Sequence, residues 1–107
     1  MTNSDKILKE IKTFVSERDW DQFHTPENLA KSIVIESAEL LEHFQWGSVQ
    51  NPEGIKEEIA DVLIYSFMLA DKLDFDVYEI MLEKLEINKK KYPIEKATGN
   101  CKKYTEL

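Results

Sequence analysis

Apolar residues along this chain recur at intervals of three and four rather than two, the period of helices that pack through one face. Ile7, Leu8, Ile11, Phe14 and Val15 form one such stripe and predict a first helix from Ser4 to about Glu17. Arg18 to His24 breaks the period with Trp20 and Phe23 and reads as an aromatic loop. Thr25 followed by Pro26 is a helix start: a threonine hydroxyl caps the first amides, and proline at the first helical position lacks only an N–H that has no helical partner anyway. The second helix is expected to run to about Trp46 and to stop near Gly47. Asn51 and Pro52 repeat the start signal for a third helix to about Leu73. Asp76 with Glu79 three residues on marks a fourth, which ends before Pro93. Four helices joined by short connections predict an all-α fold, a four-helix bundle. The polar, aperiodic segment from about 94 to 107 is expected to be an extended tail of a single domain spanning 1–107.

Composition narrows the partners. The 107 residues, 42 % of them apolar, supply core for one domain. Acidic residues outnumber basic ones 21 to 14, and the net charge of -7 opposes a nucleic acid polymer or an anionic membrane as the main partner. The lone cysteine, Cys101, excludes an internal disulfide and a Cys-based zinc site, and fits the cytoplasm. No stretch reaches the roughly 18 apolar residues of a spanning helix, and the N-terminus lacks the apolar run of a signal peptide. A soluble, cytoplasmic protein is expected.

The segment Ile59 to Ala70 concentrates the candidate chemistry. Asp61 is its single charged residue, and its apolar groups occupy nearly the whole helix circumference, so this helix is expected to be buried on most sides. A carboxylate in that setting is costly unless it is protonated or faces a cation. Glu58 lies one turn before it, and Glu36 and Glu39 form a matching pair at the edge of the apolar stripe of the second helix. Four carboxylates from two facing helices form an all-oxygen set that suits Mg2+, or Mn2+, better than zinc or copper. A ferritin-type di-iron site does not fit, because Glu39 and His43 are four residues apart and have no counterpart. Trp46 and Tyr65 each lie seven residues beyond an acid pair, where they either stack a nucleotide base or fill core. Lys84, Asn88 and Lys91 follow helical spacing, and Lys102, Lys103 and Tyr104 cluster in the tail; both groups read as phosphate contacts or as solvated surface. The competing reading of the acids is a solvated face on a non-catalytic helical oligomer, or on a module that binds a regulatory nucleotide.

The spacing Glu36-x-x-Glu39, eighteen intervening residues, then Glu58-x-x-Asp61 resembles the signature of the all-alpha MazG-like nucleoside triphosphate pyrophosphohydrolases. Glu17 to Ala30, Glu39 to Trp46, Glu57 to Tyr65, Asn88 to Pro93 and Cys101 to Leu107 look like the dCTP pyrophosphatase branch of that family. The resemblance implies a homodimer or homotetramer that binds Mg2+ through the four acids. It also implies hydrolysis of a nucleoside triphosphate, dCTP or a modified pyrimidine deoxynucleotide, to the monophosphate and pyrophosphate in nucleotide-pool sanitation. By the same comparison Trp20, His24, Trp46 and Tyr65 match nucleotide-pocket positions, and Lys84 and Asn88 match phosphate contacts. Glu36 is the residue expected to orient or deprotonate the attacking water, with Glu39, Glu58 and Asp61 chiefly holding metal. Two departures stand out: Ile11 occupies a position where animal members carry histidine, and the Trp46 to Ile55 connection is shorter than theirs.

Overall fold

Four polar side chains start the four long helices of the computed structural model, which describes residues 1–47 and 51–107. Thr2 Oγ1 accepts from Asp5 N at 3.1 Å while Asp5 Oδ2 accepts from Thr2 N at 3.1 Å, a reciprocal cap that opens α1 (Asn3–Glu17). Thr25 Oγ1 accepts from Asn28 N at 3.2 Å and opens α2 (Pro26–Glu42), with Pro26 at its first position. Asn51 Oδ1 accepts from Gly54 N at 3.0 Å at the head of α3 (Pro52–Lys72), and Asp76 Oδ1 accepts from Glu79 N at 2.9 Å at the head of α4 (Val77–Lys91). Each expected start signal is therefore a working cap. A short α5 (Ile94–Ala97) follows Pro93, and among the described residues there is no strand. No described helix is long and apolar enough to cross a membrane.

The ends of α1 and α3 share one device. Asp19 and Asp74 adopt left-handed backbone conformations, with φ of 53° and 59°. The next residues then hydrogen-bond back into their helices, Trp20 N to Val15 O at 3.1 Å and Phe75 N to Ala70 O at 2.8 Å. Aspartate tolerates this conformation better than most residues, and in both cases the turn delivers an aromatic side chain immediately after the helix.

Two expectations about helix ends and the tail are corrected. α2 stops at Glu42, not near Trp46, because its last carbonyls are taken by tighter bonds, Phe44 N to Leu41 O at 2.9 Å and Gln45 N to Glu42 O at 3.2 Å. Gly47, at φ 96°, completes that turn, and the shortened connection that follows includes residues 48–50, which lie outside the described residues. The tail is not simply extended. It contains α5 and a 3₁₀ turn at Tyr104–Glu106, and the Tyr104 ring meets Tyr92 edge-on at 6.1 Å, with Lys91 Nζ 4.7 Å from its centroid.

The chain forms two compact units, Met1–Phe75 and Asp76–Leu107. In the first, Ile11 and Val15 of α1, Leu29 of α2 and Ala70 of α3 make the core, with Leu29 fully enclosed at 0 % exposure. That core is small. The Ile59 to Ala70 stretch of α3 is apolar almost all round yet buries only part of its circumference within one chain, since Ile59, Leu63 and Ile64 stay exposed. In the second unit α4 and the tail pack through the Tyr92–Tyr104 contact, and Lys89, Lys90 and Lys91 sit at the negative end of the α4 dipole.

Candidate functional site

α2 and α3 run antiparallel. Ser32 stands beside Tyr65, Glu36 beside Glu58 and Asp61, and His43 beside Gly54, so the partner number falls as the α2 number rises. A Cβ at Gly54 would meet His43 Cε1 at 2.5 Å and Asn51 Nδ2 at 2.6 Å, side-chain ends that would have to shift to admit it. This register draws the acids together. Carboxylate oxygens from Glu36, Glu58 and Asp61 lie within 4.8 Å of one another, each residue half-buried. Glu39 neighbours Glu36 but stands outside this cluster, consistent with an offset of about 60° around the helix for a three-residue step. Three of the four expected acids thus converge.

Their electrostatics are unfavourable as they stand. Desolvation pushes the Glu36 carboxyl up to about 7, reinforced by the neighbouring carboxyls of Glu58 and Glu39 and by the charge on Asp61. Tyr65 is raised as well, by burial first and then by the charges of Glu36 and Asp61. Glu36 Oε2 and Glu58 Oε2 are buried with no hydrogen-bond partner. Crowded anions with orphaned oxygens are what a hard divalent cation would satisfy, and the donor set is carboxylate oxygen throughout.

A cavity of about 480 Å³ opens beside the cluster, with Asp61 in its lining. Asp61, Ile64, Tyr65 and Met68 give it one face of α3, at spacings of three, four and seven residues, a strip about 10 Å long at 1.5 Å per residue. Glu10 and Phe14 of α1 face it, and Trp20 and His24 of the loop complete it. The loop is held at several points. Trp20 packs edge-on against Phe14 at 5.6 Å and His24 against Trp20 at 6.5 Å. Asn28 Nδ2 donates to Phe23 O at 2.9 Å, and Lys72 Nζ of α3 donates to Asp21 Oδ1 at 2.7 Å. That lysine holds the Asp21 carboxyl below its ordinary range. His24 Nδ1 is buried without a partner.

Trp20, His24 and Tyr65 therefore meet at one cavity, which shares Asp61 with the cluster of Glu36, Glu58 and Asp61. Trp46 does not join them. It is 81 % exposed, because the shared face with Glu39 exists only if α2 continues to Trp46, and α2 ends four residues earlier. Lys84, Asn88, Lys102, Lys103 and Tyr104 all belong to the second unit, where Lys84 is exposed and Asn88 half-buried on α4. Glu10, Phe14 and Met68 were not singled out by sequence. The spacing of Met68 seven residues beyond Asp61, and of Glu10 between Ile7 and Phe14 on the α1 stripe, was the available signal.

A model of the MazG-like family matches residues 31–107. The chain is 41 % identical over 104 residues to the Homo sapiens dCTP pyrophosphatase 1, an alignment covering 88 % of this chain and 61 % of that protein. It is 35 % identical over 119 residues to the Bos taurus dCTP pyrophosphatase 1, covering 98 % of this chain and 70 % of that protein. It thus spans about three fifths of the human relative's length. Among solved structures, a pyrophosphatase from Archaeoglobus fulgidus superposes with a TM-score of 0.79 at 40 % identity, covering 87 % of this chain and 94 % of that one.

Proposed function

Because this chain belongs to the MazG-like family, we propose that it is a divalent-metal-dependent nucleoside triphosphate pyrophosphohydrolase. Its substrate is dCTP or a modified pyrimidine deoxynucleotide, cleaved to the monophosphate and pyrophosphate, and its role is sanitation of the nucleotide pool in the cytoplasm. One observation carries the reading: Asp61 belongs at once to the carboxylate cluster and to the lining of the aromatic cavity, so the phosphate end and the base end of a nucleotide have adjacent places. The names of the human and bovine relatives, and of the archaeal structure, support the same reading.

Glu36, Glu58 and Asp61 would hold Mg2+ or Mn2+, with Glu39 beside them. The bound cation supplies neutralisation of the triphosphate and of the charge that develops on it. The side chains do the rest. Water attacks the α-phosphorus, the bond from that phosphorus to the α–β bridging oxygen breaks, and pyrophosphate leaves. Glu36, among neighbouring acids that make its carboxyl more basic than an ordinary one, is the group proposed to take the proton of the attacking water. Trp20, His24 and Tyr65 position the base and hold the reacting phosphorus in place. Lys84 and Asn88 are proposed phosphate contacts on the family resemblance, and Lys102, Lys103 and Tyr104 on their chemistry alone.

The exposed apolar residues of α2 and α3, among them Val34, Ile35, Leu41 and Leu63, support assembly as a homodimer or homotetramer. A panel of ribo- and deoxynucleoside triphosphates incubated with the protein and Mg2+, with pyrophosphate resolved from orthophosphate, tests the activity. Monophosphate and pyrophosphate in equal amounts, most rapidly from a cytosine deoxynucleotide, are expected. Turnover at background for the whole panel would favour a non-catalytic oligomer or a regulatory nucleotide-binding module instead.

A further inference from the structure

The wall of the cavity that α1 supplies carries one charged residue, Glu10. The other charged residue of the lining, Asp61, is committed to the carboxylate cluster of α2 and α3, whereas Glu10 comes from a different helix and belongs to no cluster. Three basic residues near the cavity are engaged elsewhere. Lys12 Nζ pairs with Asp71 Oδ2 at 3.3 Å, and Arg18 lies 3.9 Å from the centroid of the Phe14 ring while its Nη1 donates to Phe14 O at 3.0 Å. Lys72 is taken by Asp21 at 2.7 Å. Among the described residues no hydrogen bond or ion pair involves the Glu10 carboxylate.

Position adds to this. Glu10 precedes Phe14 by four residues, so the two share a face of α1, and Phe14 abuts Trp20, the aromatic residue of the loop that lines the same cavity. Glu10 therefore lies on the aromatic side of the cavity, the side that the proposed reading gives to the base rather than to the phosphates. An ionised carboxylate only accepts hydrogen bonds. A pyrimidine presents at C4 either an exocyclic amine, which donates, or an oxygen, which accepts, and a carboxylate pairs with the first and repels the second. His24 Nδ1, buried and unpartnered in the same lining, offers a second polar contact for the ring edge.

We propose that Glu10 is a specificity-determining residue: its carboxylate accepts a hydrogen bond from the C4 amine of a cytosine-type base and turns away uracil and thymine, whose C4 oxygen it repels. This inference rests on the pyrophosphohydrolase reading of the site. It differs from a readout by aromatic stacking alone, which every base satisfies through its π-face and which leaves the C4 substituent unread.

The test compares kcat/KM for dCTP, dUTP and dTTP in the wild type, Glu10→Ala and Glu10→Gln, all with Mg2+. Glu10 is exposed, so both variants are expected to fold with the wild-type melting temperature. The wild type should favour dCTP. Glu10→Ala should lower the dCTP-to-dUTP ratio by about tenfold or more, chiefly through KM for dCTP. Glu10→Gln should shift the ratio further toward dUTP and dTTP, because its amide can donate to the C4 oxygen. An active wild type whose ratio stays the same in both variants overturns this inference alone, whereas one that prefers dUTP or dTTP overturns it together with the proposed cytosine substrate. A wild type that cleaves none of the three overturns the reading of the site as well.

Discussion

Glu36 titrates far from its ordinary 4.5, at about 7, so its charge state is set by the pH at which the chain is studied. Between those two values the cation-free folded chain binds more protons than the unfolded chain, and stability falls as pH rises through that window, levelling off above about 7. Thermal melts in chelator should therefore show the melting temperature declining from about pH 4.5 to 7, and Glu36→Gln should flatten that decline. A divalent cation favours the ionised carboxyl, so Mg2+ should raise the melting temperature more at about pH 8 than at about pH 5.5. An equal gain at both values would argue that Glu36 is not among the ligands. Asp61 was legible in sequence, since a charge in the otherwise apolar Ile59 to Ala70 stretch advertises a cation or a proton, and Glu58 followed from its place one turn earlier. That Glu39 lies beside the three-acid group rather than within it was not legible, because a Glu-x-x-Glu pair fixes two directions about 60° apart without saying which one faces the partner helix.

At the scale of elements, the α2–α3 pair places the acids and the turn after α1 places the aromatic residues. That turn depends on Asp19 in a left-handed conformation, from which Trp20 N returns to Val15 O. Asp19→Val should lower stability by about 1–2 kcal/mol, since a β-branched residue resists that conformation. Because Trp20 lines the cavity, the same change should raise KM for the triphosphate several-fold while leaving cation-dependent stabilisation intact. Unfolding curves and steady-state kinetics with the one variant check both effects, and an unchanged KM would separate the loop from substrate binding. Helix starts were readable because their caps are local chemistry: Thr25, Asn51 and Asp76 each do what their side chains predict. The end of α2 was not. Gly47 is a stop signal, but the helix tightens into turns before reaching it, and this moves Trp46 off the face it was expected to share.

The whole chain leaves more apolar surface open than a solitary molecule of this size keeps easily. Val34 and Leu41 are each 68 % exposed on α2, and Leu63 is 53 % exposed on α3, while the enclosed core is small. The sequence called for α3 to be covered on most sides, and within one chain it is covered only in part, as expected if a second copy supplies the remainder. Light scattering coupled to size exclusion should give a dimer or tetramer mass, and Leu41→Glu with Leu63→Glu should shift it toward a monomer of 12.5 kDa. A wild-type monomer at working concentration would remove that assignment. What everything else depends on is that a cation sits among the acids of α2 and α3. The direct measurement is a Mn2+ titration followed by the electron paramagnetic resonance signal of the free ion, on the wild type and on Asp61→Asn. Saturable loss of the free-ion signal is expected with the wild type at about pH 8, with binding weakened by at least about tenfold in the variant. Equal Mn2+ uptake by the two proteins, or none by either, would contradict a cation site there.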